Sequence, residues 1–235
     1  MSEPATVVLV HGAWHGSWCW DQVRAELRRA GVASVAVDNP SVTTPGSDLQ
    51  ADVANVGAAL DALDGPVVLV GHSYGGGVIS DAAAHPNVVH TVFLTAFPLD
   101  VGESVAANNL EGGEDMELTQ ALVFEGDSIT VDPDRVVHFF YHDCDDAVAA
   151  AATDRLRPMS FPAMAGPAQS AAWRDKPSTY VVCTEDHTLP VALQRSGAAR
   201  ADQVIELPTS HSPFLSRPED VARILADLAT AAGAG

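Results

Sequence analysis

Short apolar runs alternate with stretches whose apolar positions recur at helical spacing. Thr6 to Val10, Val32 to Val37, Val67 to Val70 and Val88 to Leu94 read as buried strands. Between them the pattern predicts helices from Ser17 to Ala30, from a cap at Ser47 or Asp48 to Leu63, and from Tyr74 to Ala84, where His85-Pro86-Asn87 ends the last. The rhythm changes at Pro98. As far as Pro177 the chain is acidic and rich in loops, with helices predicted over Arg135 to Asp143 and Asp145 to Leu156 and no sheet strand. Alternation then resumes with a strand from Thr179 to Cys183, a helix from Pro190 to Ala199, a strand from Val204 to Leu207 and a helix from Pro218 to Ala231. Strands and helices in this order predict an α/β fold, a mostly parallel six-stranded sheet flanked by helices. Residues 1–97 and 178–235 would form its core, and 98–177 a helical lid inserted after the fourth strand.

Composition narrows the function without naming it. A chain of 235 residues with 47% apolar and 18% charged residues suits one globular domain. Its net charge of −19 argues against nucleic acid and against an anionic membrane surface. No run is long enough to span a bilayer, and Val7 to Val10 is too short for a signal core. Cys19, Cys144 and Cys183 are odd in number and widely spaced, so free thiols in a cytoplasmic protein are expected. A homodimer stays open.

The chemistry concentrates at Gly71-His72-Ser73-Tyr74-Gly75, between a predicted strand and a predicted helix. A Gly-x-Ser-x-Gly turn in that context holds a serine hydroxyl clear of the sheet beside the amide-rich start of a helix. Serine needs a base to take its proton, and histidine has the right pKa. A carboxylate must then orient the imidazole. Of nine histidines, His211 lies in the loop after the last strand, at the carboxyl edge where such sheets place ligands. His72, inside the motif, reads as structural. His138 and His142 stand four apart and could chelate a metal, but no third ligand follows at a metalloprotease spacing. For the acid, Asp186 lies just past the strand ending at Cys183. Glu185 would point elsewhere, and Asp100 is a rival at the same edge. Two amides should face the developing oxyanion: that of Tyr74, after the nucleophile, and that of Ala13, in the loop after the first strand. Trp14, Phe97, Met159, Phe161, Met164, Trp173 and Phe214 are the candidate lining of an apolar pocket. No phosphate-cradling glycine pattern precedes a helix apart from the serine turn, so neither a cofactor nor a metal is expected.

These residues resemble the α/β-hydrolase superfamily, and within it the branch of plant methyl esterases, hydroxynitrile lyases and bacterial esterase-like relatives. The carriers are His11-Gly12-Ala13-Trp14-His15-Gly16-Ser17-Trp18, Gly71-His72-Ser73-Tyr74-Gly75-Gly76, Cys183-Thr184-Glu185-Asp186 with Pro190, and His211-Ser212-Pro213-Phe214-Leu215-Ser216. They cover the core on both sides of the lid, which itself matches loosely. The resemblance implies Ser73, Asp186 and His211 as a triad. It also implies ester hydrolysis through an acyl-enzyme, and the apolar character of the candidate pocket residues suggests a small, largely apolar ester or lactone. The lyases of the branch carry Thr after the first-motif His and Lys after the catalytic His. Here Gly12 and Ser212 stand there, which favours hydrolysis over cyanohydrin cleavage. Other cofactor-free chemistry on the same triad, or a catalytically idle ligand-binding protein, are the alternatives.

Overall fold

Val67 to Val70 expose no side-chain surface at all. Four consecutive buried apolar residues are stable in a strand only where helices cover both faces of the sheet. Each such side chain removed from water contributes about 1.5–3 kcal/mol. The computed structural model, which describes residues 3–111 and 116–234, places this run in β3 (Val67–His72) near the centre of a six-stranded sheet. Its neighbours are β1 (Thr6–Val10), β2 (Ser34–Val37), β4 (Val88–Leu94), β8 (Ser178–Cys183) and β9 (Gln203–Leu207), in the order β2-β1-β3-β4-β8-β9. Every neighbouring pair runs parallel.

Side chains alternate between the two faces. Val7, Leu9, Val68 and Val70 pack with Val23 and Leu27 of α1 (Asp21–Arg29) and Val221 and Leu225 of α9 (Pro218–Gly233). Val8, Val10, Leu69 and Phe93 pack with Val56 and Leu60 of α2 (Leu49–Asp61) and Val78 and Ile79 of α3 (Gly75–Ala82). The register pairs Val10 with Gly71, His72 with Leu94, and Leu94 with Val181. The carboxyl ends of four strands therefore stand at one edge, from which the segments carrying Gly12, Ser73, Thr95 and Asp186 emerge.

Local signals resolve as their chemistry dictates. Asp48, not Ser47, caps α2, its carboxylate accepting the Ala51 N–H at 2.9 Å. The helix expected from Ser17 to Ala30 is split into a tight 3-10 turn, Ser17–Trp20, and α1.

The inserted segment departs from its helical expectation. It contains a three-stranded antiparallel sheet, β5 (Leu122–Glu125), β6 (Ser128–Val131) and β7 (Met159–Ser160). Gly126 turns the hairpin at φ +61°. The signal lay in Gly126-Asp127 between Leu-Val-Phe-Glu and Ser-Ile-Thr-Val, a two-residue turn between strand formers. Helices α4 (Val105–Glu111), α5 (Asp146–Thr153) and α6 (Phe161–Ala165) accompany it. The helix expected from Arg135 to Asp143 is instead a 3-10 turn, Pro133–Arg135, followed by the wide π-type turn Val137–Tyr141. Asp81 of α3 fastens the insert, accepting the Ser170 N–H at 2.7 Å and the Gln169 N–H at 3.0 Å. Among the described residues no helix is long and apolar enough to cross a membrane.

Candidate active site

β3 ends at His72 and α3 begins at Gly75, leaving Ser73 and Tyr74 to make the whole turn. Glycine is required on both sides. A Cβ on Gly71 would stand 2.5 Å from the Gly75 carbonyl oxygen, and one on Gly75 would stand 2.7 Å from that of Val10. Backbone atoms cannot give way, so the turn closes only with hydrogen at both positions. Ser73 itself sits at φ +51°. Among the described residues the other non-glycine positions with positive φ are Trp14, at +62°, and Thr95, at +38°. All three stand at this edge of the sheet, and strain of about 1–3 kcal/mol each persists only where the surroundings over-determine it.

Asp186 is fixed from five directions. Its Oδ1 accepts the N–H groups of Thr188 at 2.6 Å and Leu189 at 3.0 Å. Its Oδ2 accepts the Thr95 hydroxyl at 2.5 Å, Gln194 Nε2 at 3.2 Å and His211 Nδ1 at 2.7 Å. Both members of the His211–Asp186 pair are buried. Because Nδ1 donates to the carboxylate, the neutral ring carries its lone pair on Nε2, the nitrogen able to take a proton.

His72 holds His211 from behind. Its Nε2–H donates to the His211 carbonyl at 2.9 Å, and the two ring centroids are 4.7 Å apart. The neighbour of the serine thus grips the backbone of the histidine. Ser73 Oγ and His211 Nε2 share no hydrogen bond in this structure, and contacts of this kind commonly tighten only when substrate binds.

Three buried histidines around the site, His11, His15 and His72, are kept neutral. Burial pushes His11 down to about 4, against the pull of its hydrogen bond to the Gly12 carbonyl. It pushes His15 down to about 3, where Nε2 accepts the Tyr141 hydroxyl at 2.8 Å. His72 lies well below the usual range for the same reason. Above the ordinary value of 6.5 these rings are neutral whether the chain is folded or not, so they leave stability unchanged there. Below it the unfolded chain binds protons the folded one refuses. Stability should therefore fall steadily as pH drops from 6.5 toward about 4 for His11 and about 3 for His15. Urea unfolding midpoints measured on acidification will show this decline; a flat profile would mean that the rings are protonated in place.

Ala13 and Tyr74, the expected oxyanion donors, flank Ser73 in one narrow cavity. Neither amide donates to a protein acceptor among the described residues. Trp14 lines the same cavity and ties the first loop to the insert, its indole N–H donating to the Ile129 carbonyl at 3.0 Å. Phe97 and Met164 also line it.

Four expected lining residues lie elsewhere. Met159 is buried in β7 and faces a separate, more open groove that does not include Ser73. Phe161 is partly exposed and packs on Phe124. Trp173 supports the end of β4 from below, against Phe93, with its N–H on the Leu99 carbonyl at 2.8 Å. Phe214 packs behind the site between Trp20 and His72. Each is an aromatic or thioether used for packing, which composition alone cannot separate from pocket lining. The cavity instead draws on Val105, Asn109, Met116 and Leu118 from the insert and on Thr188 and Leu189 beyond Asp186.

The rival residues have other partners. Asp100 pairs with Arg174 at 2.5 Å and Arg200 at 3.2 Å, and the Arg174 hydrogen bond lowers its carboxyl below the ordinary value. His142 donates to the Glu185 carbonyl at 2.8 Å and stacks on His187, whose ring also meets His138. Thr95 and Gln194, which clamp the acid, carried no sequence signal, because each is tied to Asp186 only by tertiary folding.

The model of the alpha/beta hydrolase family matches residues 7–224, and the chain belongs to that family. It is 30% identical to the alpha/beta hydrolase nvfD of Aspergillus novofumigatus over 97% of this chain and 98% of that protein. It is also 29% identical to methylesterase 7 of Arabidopsis thaliana, covering 94% of this chain and 95% of the relative. Among solved structures, a pyrethroid hydrolase from Sphingobium faniae aligns with a TM-score of 0.85 at 27% identity, over 98% of this chain and 99% of that one. Plant methylesterases are thus among its relatives, as the motifs implied.

Proposed function

We propose that this protein is a serine esterase acting on small, largely apolar carboxylic esters, with Ser73 as nucleophile, His211 as base and Asp186 as the acid that orients it. The observation that carries this reading is the 2.7 Å His211–Asp186 hydrogen bond, its imidazole packed on His72, the residue before a serine held at positive φ at the start of a helix. His211 Nε2 takes the Ser73 proton as Oγ attacks the ester carbonyl, and the oxyanion is held by the Ala13 and Tyr74 amides. The imidazolium then protonates the leaving alcohol. Water, deprotonated by His211, attacks the acyl-enzyme and releases the acid, restoring the serine. Family relatives named as esterases and hydrolases support the class. A cytoplasmic setting is supported by three free thiols.

A fluorophosphonate should label the native enzyme stoichiometrically at the Ser73 peptide, with mass spectrometry as the readout. An unmodified Ser73 in folded protein would overturn the proposal.

A further inference from the structure

The cavity beside Ser73 has apolar walls from Trp14, Phe97, Val105, Met116, Leu118 and Met164. Among its described lining residues, four carry hydroxyl or amide side chains. Ser73 is the nucleophile, Thr188 spends its hydroxyl on the Phe139 carbonyl at 2.9 Å, and Tyr74 donates to Asp52 at 2.7 Å. The fourth, Asn109 of α4, has a buried amide oxygen with no hydrogen-bond partner among the described residues. Its neighbour Asn108 shows the contrast: that amide donates back to the carbonyl of Ser104, just before the helix, at 3.0 Å. A buried acceptor left unsatisfied is costly, and a ligand that donates to it recovers that cost. In an otherwise apolar pocket a single such group fixes orientation and specificity.

We propose that Asn109 is a specificity-determining residue, and that the preferred ester is an apolar molecule carrying one hydroxyl or N–H group that donates to the Asn109 side-chain oxygen. This deepens the esterase reading and rests on it for the identity of the reacting group. The preferred substrate class is thus a hydroxylated aromatic or aliphatic ester in preference to a plain hydrocarbon one. A site with an unfilled acceptor discriminates against the analogue that lacks the donor.

The test compares matched esters within each variant, so that a general loss of activity cancels. One pair is the para-nitrophenyl esters of phenylpropanoic acid and its para-hydroxy derivative. The other, with the hydroxyl on the alcohol side, is phenethyl acetate and its para-hydroxy derivative. In the wild type at least one hydroxylated ester should have a kcat/KM about tenfold above its partner, the equivalent of one buried hydrogen bond. In Asn109→Leu that ratio should fall to near one, and Asn109→Ala serves if leucine is not accommodated. Ratios near one for both pairs in the wild type, or a preference that survives both substitutions, would overturn the proposal. Binding of two ketones that cannot be hydrolysed, benzylacetone and its para-hydroxy derivative, is measured by calorimetry on the same variants. The hydroxylated ketone should bind about tenfold tighter to the wild type, with the advantage lost in the variants. An enzyme that turns over neither ester and leaves Ser73 unlabelled has failed as an esterase. The ketone pair then decides Asn109 by itself: equal affinities sink the specificity role.

Discussion

Ser73→Ala is expected to lower kcat toward p-nitrophenyl acetate by about 10⁵-fold or more, and His211→Ala should fall to nearly the same floor. The double variant should be no slower than either single one. The reason is that the hydroxyl and the imidazole perform one act: without the base the serine remains a neutral alcohol, and without the serine the base has nothing to activate. Their contributions cannot add. A residual rate above water should survive in all three variants, because the Ala13 and Tyr74 amides and the apolar pocket remain. The alanine at position 73 introduces no new contact and keeps the backbone of the turn, so circular dichroism and unfolding midpoints should stay close to wild type. Additive losses would place the two residues in separate steps. A Ser73→Ala enzyme with undiminished turnover would remove the nucleophile from the mechanism.

Asp186→Asn should lower kcat by about 10⁴-fold, more than the loss of one ordinary hydrogen bond allows. The carboxylate accepts from His211, Thr95 and Gln194 at Oδ2 and from two backbone amides at Oδ1. An asparagine can satisfy the backbone pair with its oxygen, but its NH₂ then meets three donors. His211 must turn its acceptor nitrogen toward the amide, which moves the ring proton to Nε2, and the ring can no longer take a proton from Ser73. The same clash removes acceptors from buried donors, so stability should also drop by about 2–4 kcal/mol. Activity and unfolding, measured on the same preparation, separate the two effects: at temperatures where the variant is fully folded the rate deficit must persist. A folded Asp186→Asn enzyme within tenfold of wild type would show that another group orients the imidazole.

Much of this arrangement was legible in the chain because it is local. The strand, turn and helix around Ser73 are encoded by a contiguous apolar run, two glycines with no room for a Cβ, and a helical pattern after them. The order of serine, acid and histidine, each just beyond a strand, singled out Asp186 over Asp100 as the first choice. What escaped was set by tertiary context. The hairpin from Leu122 to Val131 leaves Val123 and Phe124 exposed, so its strands lack the fully buried signature of the main sheet. The conspicuous aromatics are poor markers of the pocket: Phe214 and Trp173 serve the core, while Val105 and Leu118, unremarkable in sequence, reach the cavity. The role of His72 as the grip on His211 depends on the register that brings the end of β3 beside the last loop.

The connection between β4 and β8 also bears on how the chain assembles. These strands pair side by side, yet the whole insert, roughly eighty residues, separates Leu94 from Ser178. Synthesis proceeds from the amino terminus, so the first four strands emerge well before their partner exists, with β4 presenting an unpaired edge in the meantime. Closure of so distant a pairing is slow. The serine turn can form early, whereas Asp186 and His211 arrive only with the last quarter of the chain, so the proposed activity should be among the final properties acquired during folding.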